Sequence, residues 1–579
     1  MGKIQGRLDV SVSKIINYRM VIHQKETNCN MKKLAGAIII SIFSGLAIQA
    51  QDSLIEDLIP AARLIDLSFT DSERTMMYHD IRNKLNQYRK MHELKLDNSV
   101  PMSLWQSPIL PGMKFNSKQD PILWNIPSDI SLPKNRNELA FYSLLQLASL
   151  IKHKKISSVE LTQFFIDRLR KYGDTLQCVI FIAENIAMEQ ARLADAEIRQ
   201  GKYRGPLHGI PYGLKDLFAV KGTKTTWGAA PYKDQEIEED AFVYAQLKKA
   251  GAILIAKFTL GALAMGDYWY GGRTKNLWNM KYGSSGSSAG STAATVAGLV
   301  PFAIGTETYG SIISPSHTGG STGLRPSFAS VSRTGAMTLS WSLDKIGPIC
   351  RSAEDAAVVF SAIHGTDHKD GAAVNMPFNY TGKFDPAKIR IAYAGNYFSK
   401  LDSTSNDWKV LEAFKKMGLK LSVIDFPDSS IYAFDMIAIV IGSESAAAFD
   451  EMTRLNIDDQ LTMQTANDWP NYFRSARFIP AVEYVNANRH RYILMQKMNE
   501  IVRNFDVIIC PTWSGEQVAI TNLTGHPALC MPTGLDGKGL PTSITFIGKL
   551  YSEAILLAVG KAFQDHTDFE NVHPPYFQR

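Results

Sequence analysis

The sequence has few cysteines and no arrangement that gives them a structural use. Cys29, Cys178, Cys350, Cys510 and Cys530 are the only five in 579 residues, and no two form a CxxC pair. Such spacing excludes a disulfide framework and a thiolate zinc site as organising elements. Dense Lys/Arg runs are missing too. The net charge of +6 is modest for this length, so nucleic acid is not an expected partner. There are no tandem repeats or low-complexity tracts, which excludes a solenoid. The apolar run Leu34–Ala47 falls short of the roughly 20 residues that span a bilayer. His364 and His368 lie four apart, but the intervening Gly365-Thr366-Asp367 reads as a loop rather than a helix face that would aim both at one metal. What remains is an ordinary globular composition, 45% hydrophobic and 20% charged, with ample length for a large core.

Targeting comes first along the chain. Met31-Lys32-Lys33 precedes the Leu34–Ala47 run, and Ile48-Gln49-Ala50-Gln51 follows it. A charged start, an apolar stretch of this length and a small residue near the end read as an export signal cut near Ala50. Residues 1–30 are then an upstream extension, with translation expected to start at Met31. The cleaved protein is expected to be periplasmic or extracellular, without stable membrane association.

Residues 51–137 read as an N-terminal helical extension. Leu54, Leu58, Ala61 and Leu64 recur at helical spacing. Thr70-Asp71-Ser72-Glu73 is a capping box for a helix through Tyr88. From 138 to 575 strands alternate with helices, which argues for a layered α/β domain. Helices are expected at 158–170, 187–200, 240–250, 443–452 and 552–563. Strands are expected at 252–256, 389–394, 419–426, 505–510 and 543–547.

The chemistry concentrates in Gly283–Pro326. A Gly/Ser run, Gly283-Ser284-Ser285-Gly286-Ser287-Ser288-Ala289-Gly290-Ser291, leads into an Ala/Thr/Val segment and an apolar, strand-like Leu299–Ile304. A second glycine-bearing loop with hydroxyls follows at 305–311. Small residues allow close backbone approach, and successive N–H groups in such loops can converge on one anionic atom. Hydroxyls sit in both loops, which together are the material of a nucleophile beside an oxyanion hole.

These residues resemble the amidase signature hydrolases. The likeness rests on Gly286-Ser287-Ser288-Ala289-Gly290-Ser291, on Gly305-Thr306-Glu307-Thr308-Tyr309-Gly310-Ser311-Ile312, and on Gly323-Leu324-Arg325-Pro326. It continues through Leu343-Asp344-Lys345-Ile346-Gly347-Pro348, Asp506–Thr512, Asn522–Ala528 and Gly539-Leu540-Pro541, and covers about 138–570. It implies one α/β/α domain around a large mixed sheet and an amidase with a Ser-Ser-Lys triad. By position, Ser311 is the nucleophile, Ser287 the bridging serine, and Lys215, in Gly213-Leu214-Lys215-Asp216, the base. The N–H groups of Thr308, Tyr309, Gly310 and Ser311 form the oxyanion hole. The expected partner is a small amide substrate, with a homodimer open, and the mechanism needs no metal or organic cofactor.

The chain departs from the family pattern at several places. Tyr309 stands where a glycine is common, Glu307 where an Asp is common, Ile313 where an Arg is common, and Ser285 and Ala289 in place of glycines. Three alternatives stay open: the glutamine-hydrolysing A subunit of a tRNA amidotransferase, an inactive binding homologue, and a G-x-S-x-G nucleophile elbow centred on Ser288. An elbow needs a strand immediately before it, which 279–285 resembles poorly.

Overall fold

The computed structural model describes residues 55–93, 97–100, 104–429, 432 and 434–578. The expected export signal and the extension before it lie outside the described residues. The chain divides into two compact units, Met1–Leu96 and Asp97–Arg579.

The first unit contains a helix over 55–64 and a second at Asp71–His92. The expected capping box forms at the second helix. The Thr70 N–H donates to Glu73 Oε2 at 2.6 Å, and the Glu73 N–H donates back to Thr70 Oγ1 at 3.4 Å.

In the second unit the strands are β1 (Val179–Ile182), β2 (Pro211–Lys215), β3 (Ile253–Phe258), β4 (Tyr268–Trp269), β5 (Gly272–Arg273) and β6 (Ala303–Glu307). They continue with β7 (Thr322–Arg325), β8 (Lys345–Cys350), β9 (Ile391–Ala394), β10 (Leu421–Ile424), β11 (Val507–Pro511), β12 (Ala528–Leu535) and β13 (Pro541–Gly548). Eleven of them form one mixed sheet in the order β1-β3-β2-β6-β8-β7-β12-β13-β11-β9-β10, and β4 pairs with β5 alone. The neighbours β3-β2-β6 are parallel, as are β11-β9-β10. The strands between β6 and β11 alternate in direction. Every residue of β2, β3, β8 and β11 is buried, which fits a sheet flanked by helices. This is the large mixed sheet between helices that the sequence resemblance implied.

Local signals set the helix starts. Ser157 and Glu160 form a reciprocal cap on the helix Ser158–Leu176. Irregular chain before the first strand also contributes packing: Ile122, Trp124, Ile126, Ile130 and Leu132 lie against the main core, and Trp124 stacks on Tyr380 at 5.5 Å.

Three sequence expectations shift. The extension expected to be helical over 51–137 is helical at 55–64 and Asp71–His92 and irregular over 104–135, where Pro108, Pro111, Pro121, Pro127 and Pro133 interrupt any helix. Leu299–Ile304 is not the strand; a turn at 297–298 and a bend over 299–301 come first, and β6 takes Ala303 to Glu307. The second loop is therefore shorter than 305–311, starting at Thr308. The helix expected at 443–452 is two, Met436–Ala448 and Asp450–Arg454.

Candidate active site

The parallel register of β2 and β6 sets the position of the site. Gly213 pairs with Ala303 and Leu214 with Ile304, so both strands end at the same edge of the sheet. Ligands of open α/β sheets bind beyond the carboxyl ends of parallel strands. β2 ends on Lys215. β6 ends on Glu307 and runs through 308–312 into the helix Ile313–Gly319. The Ser287–Ser288 pair sits at the start of the helix Ala289–Val296, whose chain leads back into β6.

Lys215 is fully buried. Its Nζ lies 2.8 Å from Ser287 Oγ, 2.8 Å from Thr306 Oγ1 and 3.1 Å from Ser288 Oγ. Burial pulls its pKa down to about 7, against the opposing pull of Asp344 and Glu307. That shift corresponds to roughly 5 kcal/mol taken from the charged state, and it makes the amine able to accept a proton near neutrality.

The two serines of the pair differ in their surroundings. Ser288 Oγ donates to the Thr306 carbonyl at 3.1 Å and accepts from the Thr306 N–H at 3.2 Å. It is a tie between the helix start and β6. Among the described residues Ser287 Oγ has no such backbone pairing, and it faces the amine. The stretch before the pair consists of bends and one isolated bridge at Gly283 rather than a strand, so the geometry of a nucleophile elbow at Ser288 is not present. The Gly286–Ser287 peptide bond is cis. A Cβ on Gly286 would lie 1.9 Å from the Gly266 carbonyl oxygen, so only glycine fits there.

Ser311 follows β6 by four residues and is half-buried. Its carbonyl accepts the Ser288 N–H at 3.2 Å, which pins the second loop against the serine pair. Its hydroxyl makes no hydrogen bond among the described residues. Lys215 and Ser287 are therefore brought together by their side chains, and Ser311 is joined to them through the backbone.

Among the described residues, the N–H groups of Thr308, Tyr309, Gly310 and Ser311 donate to no protein acceptor, whereas those of Ile312 and Ile313 are both taken by Glu307 Oε2, at 2.8 and 2.9 Å. Gly310 has φ +88°, the left-handed conformation that turns the loop at low cost only for glycine. Successive free N–H groups around such a turn are the geometry that holds an anionic oxygen.

Glu307 was legible in the sequence only as a departure, yet it braces this loop. Fully buried, it also accepts from Arg325 Nη1 at 3.0 Å and from Asn522 Nδ2 at 2.8 Å. Burial alone would raise its pKa; Arg325, Asn522 and the Ile313 N–H outweigh that and hold the carboxyl below its ordinary value. Thr308 Oγ1 is fixed from the other side, donating to Asp344 Oδ1 at 2.5 Å. Asp344 in turn accepts the N–H groups of Leu339 and Ser340. Ile313 packs with Val518, Ala528 and Cys530 in a small apolar cluster beneath the loop, an environment suited to an aliphatic side chain. Tyr309 keeps 45% of its surface exposed and so projects from the loop. Ser285 has φ +62°, a backbone conformation that glycine adopts more readily.

Comparison with known proteins agrees with this architecture. The family model described as Amidase matches residues 160–521. The A subunit of glutamyl-tRNA(Gln) amidotransferase from Coxiella burnetii is 32% identical over 479 residues, covering 75% of this chain and 99% of the relative. The same subunit from Legionella pneumophila is 30% identical over 480 residues, with the same coverage of 75% and 99%. Native peptide amidase from Stenotrophomonas maltophilia superposes with a TM-score of 0.68 at 26% identity, covering 76% of this chain and 100% of its own. A bacterial aryl acylamidase shares the fold with a TM-score of 0.67 at 23% identity, covering 75% and 98%. The chain belongs to the amidase family and is a hydrolase of amide C–N bonds.

Proposed function

We propose that this protein is an exported amidase working through a Ser287–Ser311–Lys215 triad. The observation that carries the reading is the buried Lys215 amine 2.8 Å from Ser287 Oγ, beside a loop of unpartnered N–H groups.

In this reading Lys215, neutral, takes the Ser287 proton while Ser287 takes the proton of Ser311. The Ser311 oxygen attacks the amide carbonyl. Hydrogen bonds of such a relay tighten when substrate closes the site. The carbonyl oxygen becomes an oxyanion held by the N–H groups of Thr308, Tyr309, Gly310 and Ser311. The C–N bond breaks as the proton returns through Ser287 to the leaving nitrogen, giving ammonia or an amine. Water, deprotonated by the same relay, then cleaves the acyl-enzyme, releasing the carboxylate and regenerating Ser311. The test is ammonia release from a panel of carboxamides, with Ser311→Ala and Lys215→Ala alongside. Loss in both variants supports the triad, and turnover that survives either one contradicts it.

A second reading draws on the relatives named as tRNA amidotransferase A subunits at 30–32% identity. Such a subunit works in the cytosol with partner subunits. The export-signal pattern at 31–50 favours the first reading. N-terminal sequencing of the mature protein and of its cell fraction decides between them: a start near Gln51 outside the cytosol supports the exported amidase, and an uncut cytosolic chain that co-purifies with partner subunits supports the other.

A further inference from the structure

Two charged residues stand in succession where β2 ends, Lys215 as its last residue and Asp216 just beyond it, and they face opposite ways. Lys215 points toward Ser287 and Thr306. Asp216 turns the other way, to Lys257 of β3. Lys257 is in register with Leu214, the residue before Lys215, so by the alternation of a strand it lies on the face away from the amine. Both Asp216 and Lys257 are fully buried.

The pair is held from several directions. Lys257 Nζ lies 2.8 Å from Asp216 Oδ1 and donates to Thr225 Oγ1 at 3.2 Å and to the Lys224 carbonyl at 3.4 Å. Asp216 Oδ2 accepts the Thr226 N–H at 2.8 Å and the Thr226 hydroxyl at 2.5 Å. The Asp216 N–H donates to the Phe258 carbonyl at 2.9 Å, and its own carbonyl accepts the Trp227 N–H at 3.1 Å. The exit of β2 is thus tied both to β3 and to the 224–227 turn. A buried ion pair is a poor source of stability compared with apolar residues of the same volume. Its placement next to Lys215 points to a different use.

We propose that Asp216 and Lys257 are positioning residues for the Lys215 base, clamping the end of β2 while adding no net charge beside the amine. The proposal rests on the reading of Lys215 as the base. Asp344 and Glu307 act on Lys215 directly, favouring its charged form against burial. On the side of the pair stand Tyr270, which bonds to Thr226, and Lys224, which is matched with Asp234 at 2.6 Å.

The test is the pH dependence of the rate at which a fluorophosphonate labels Ser311 in the full chain, which needs no identified substrate. Wild-type labelling should rise with pH through a midpoint near that of Lys215. Lys257→Met leaves the Asp216 charge unmatched and should move the midpoint up by about one pH unit, slowing labelling roughly fivefold at pH 7. Asp216→Asn leaves the opposite charge and should move it down. The double variant Asp216→Asn/Lys257→Met, neutral again, should return to within about 0.3 unit of the wild type, and Lys257→Arg should stay there. Opposite shifts that cancel in the double variant are not produced by a merely structural role. Coincident midpoints in the folded variants, with labelling lost only in proportion to folded protein by circular dichroism, overturn the proposal. Labelling that Lys215→Ala leaves unchanged overturns the reading of Lys215 itself, and that outcome is visible without any variant of the pair.

Discussion

Lys215 Nζ lies 2.8 Å from Ser287 Oγ, at a point where the amine has no contact with solvent. An exposed lysine has only about one neutral molecule in a few thousand at pH 7. Burial here brings the pKa to about 7, so about half of the molecules hold a neutral amine at that pH. The distance and the desolvation act together: one sets the amine against the Ser287 hydroxyl, the other leaves it able to accept a proton near neutrality, as the proposed role of base requires.

The sign of the pH dependence follows. Below about 7 the amine is protonated and cannot accept, so kcat/KM should fall tenfold per pH unit on the acid side and level off above about 8. Lys215→Ala should cost on the order of 10²–10⁴ in kcat/KM. Lys215→Arg should not rescue it, because a guanidinium stays protonated. A pH–rate profile of the wild type and both variants checks this.

The serine pair should separate by function. Ser287→Ala should lower kcat by about 10²–10⁴ with little change in stability. Ser288→Ala, which deletes the ties to Thr306 and leaves buried backbone groups unpaired, should cost about 1–3 kcal/mol of stability and keep turnover within about tenfold. Thermal melts beside initial rates distinguish the two. The reverse pattern would restore Ser288 as a nucleophile.

Glu307→Ala should be among the most damaging single changes in this part of the chain. It strands the buried Arg325 cation and frees the Ile312 and Ile313 N–H groups that anchor the loop. Removing one partner of a buried pair typically costs about 3–5 kcal/mol. A lowered denaturation midpoint together with loss of labelling at Ser311 is the expected outcome; a stable, fully active variant would contradict the bracing role.

Tyr309→Gly should change selectivity more than stability. The ring is half-exposed and stands where the loop offers its N–H groups. Its removal should raise kcat/KM for bulky acyl amides relative to small ones, with stability altered by about 1 kcal/mol or less, the loop glycine entropy included. Competition between a small and a bulky amide measures the ratio directly.

Motifs and caps were readable because their physics is local. Thr70 and Glu73, or Ser157 and Glu160, meet three residues apart on one turn, so spacing alone predicts the contact. The glycine–serine loops were readable for the same reason. The brace behind them was not. Glu307 meets Arg325 across 18 residues and Asn522 across 215, and only the sheet order brings them together. Strand boundaries suffered likewise. Leu299–Val300 is as apolar as any strand, but Gly298 has positive φ and ends the helix there, so the chain turns before β6 begins. The ion pair of Asp216 and Lys257 was invisible because Lys257 lies inside a run that otherwise reads as a buried apolar strand.

The most direct measurement is ammonia release from carboxamides by protein starting at Gln51, read together with fluorophosphonate labelling of Ser311. Turnover and labelling in the wild type, both lost in Ser311→Ala and Lys215→Ala, are the predicted result. No turnover on any amide and no labelling of an intact, folded wild type would contradict a working Ser-Ser-Lys site.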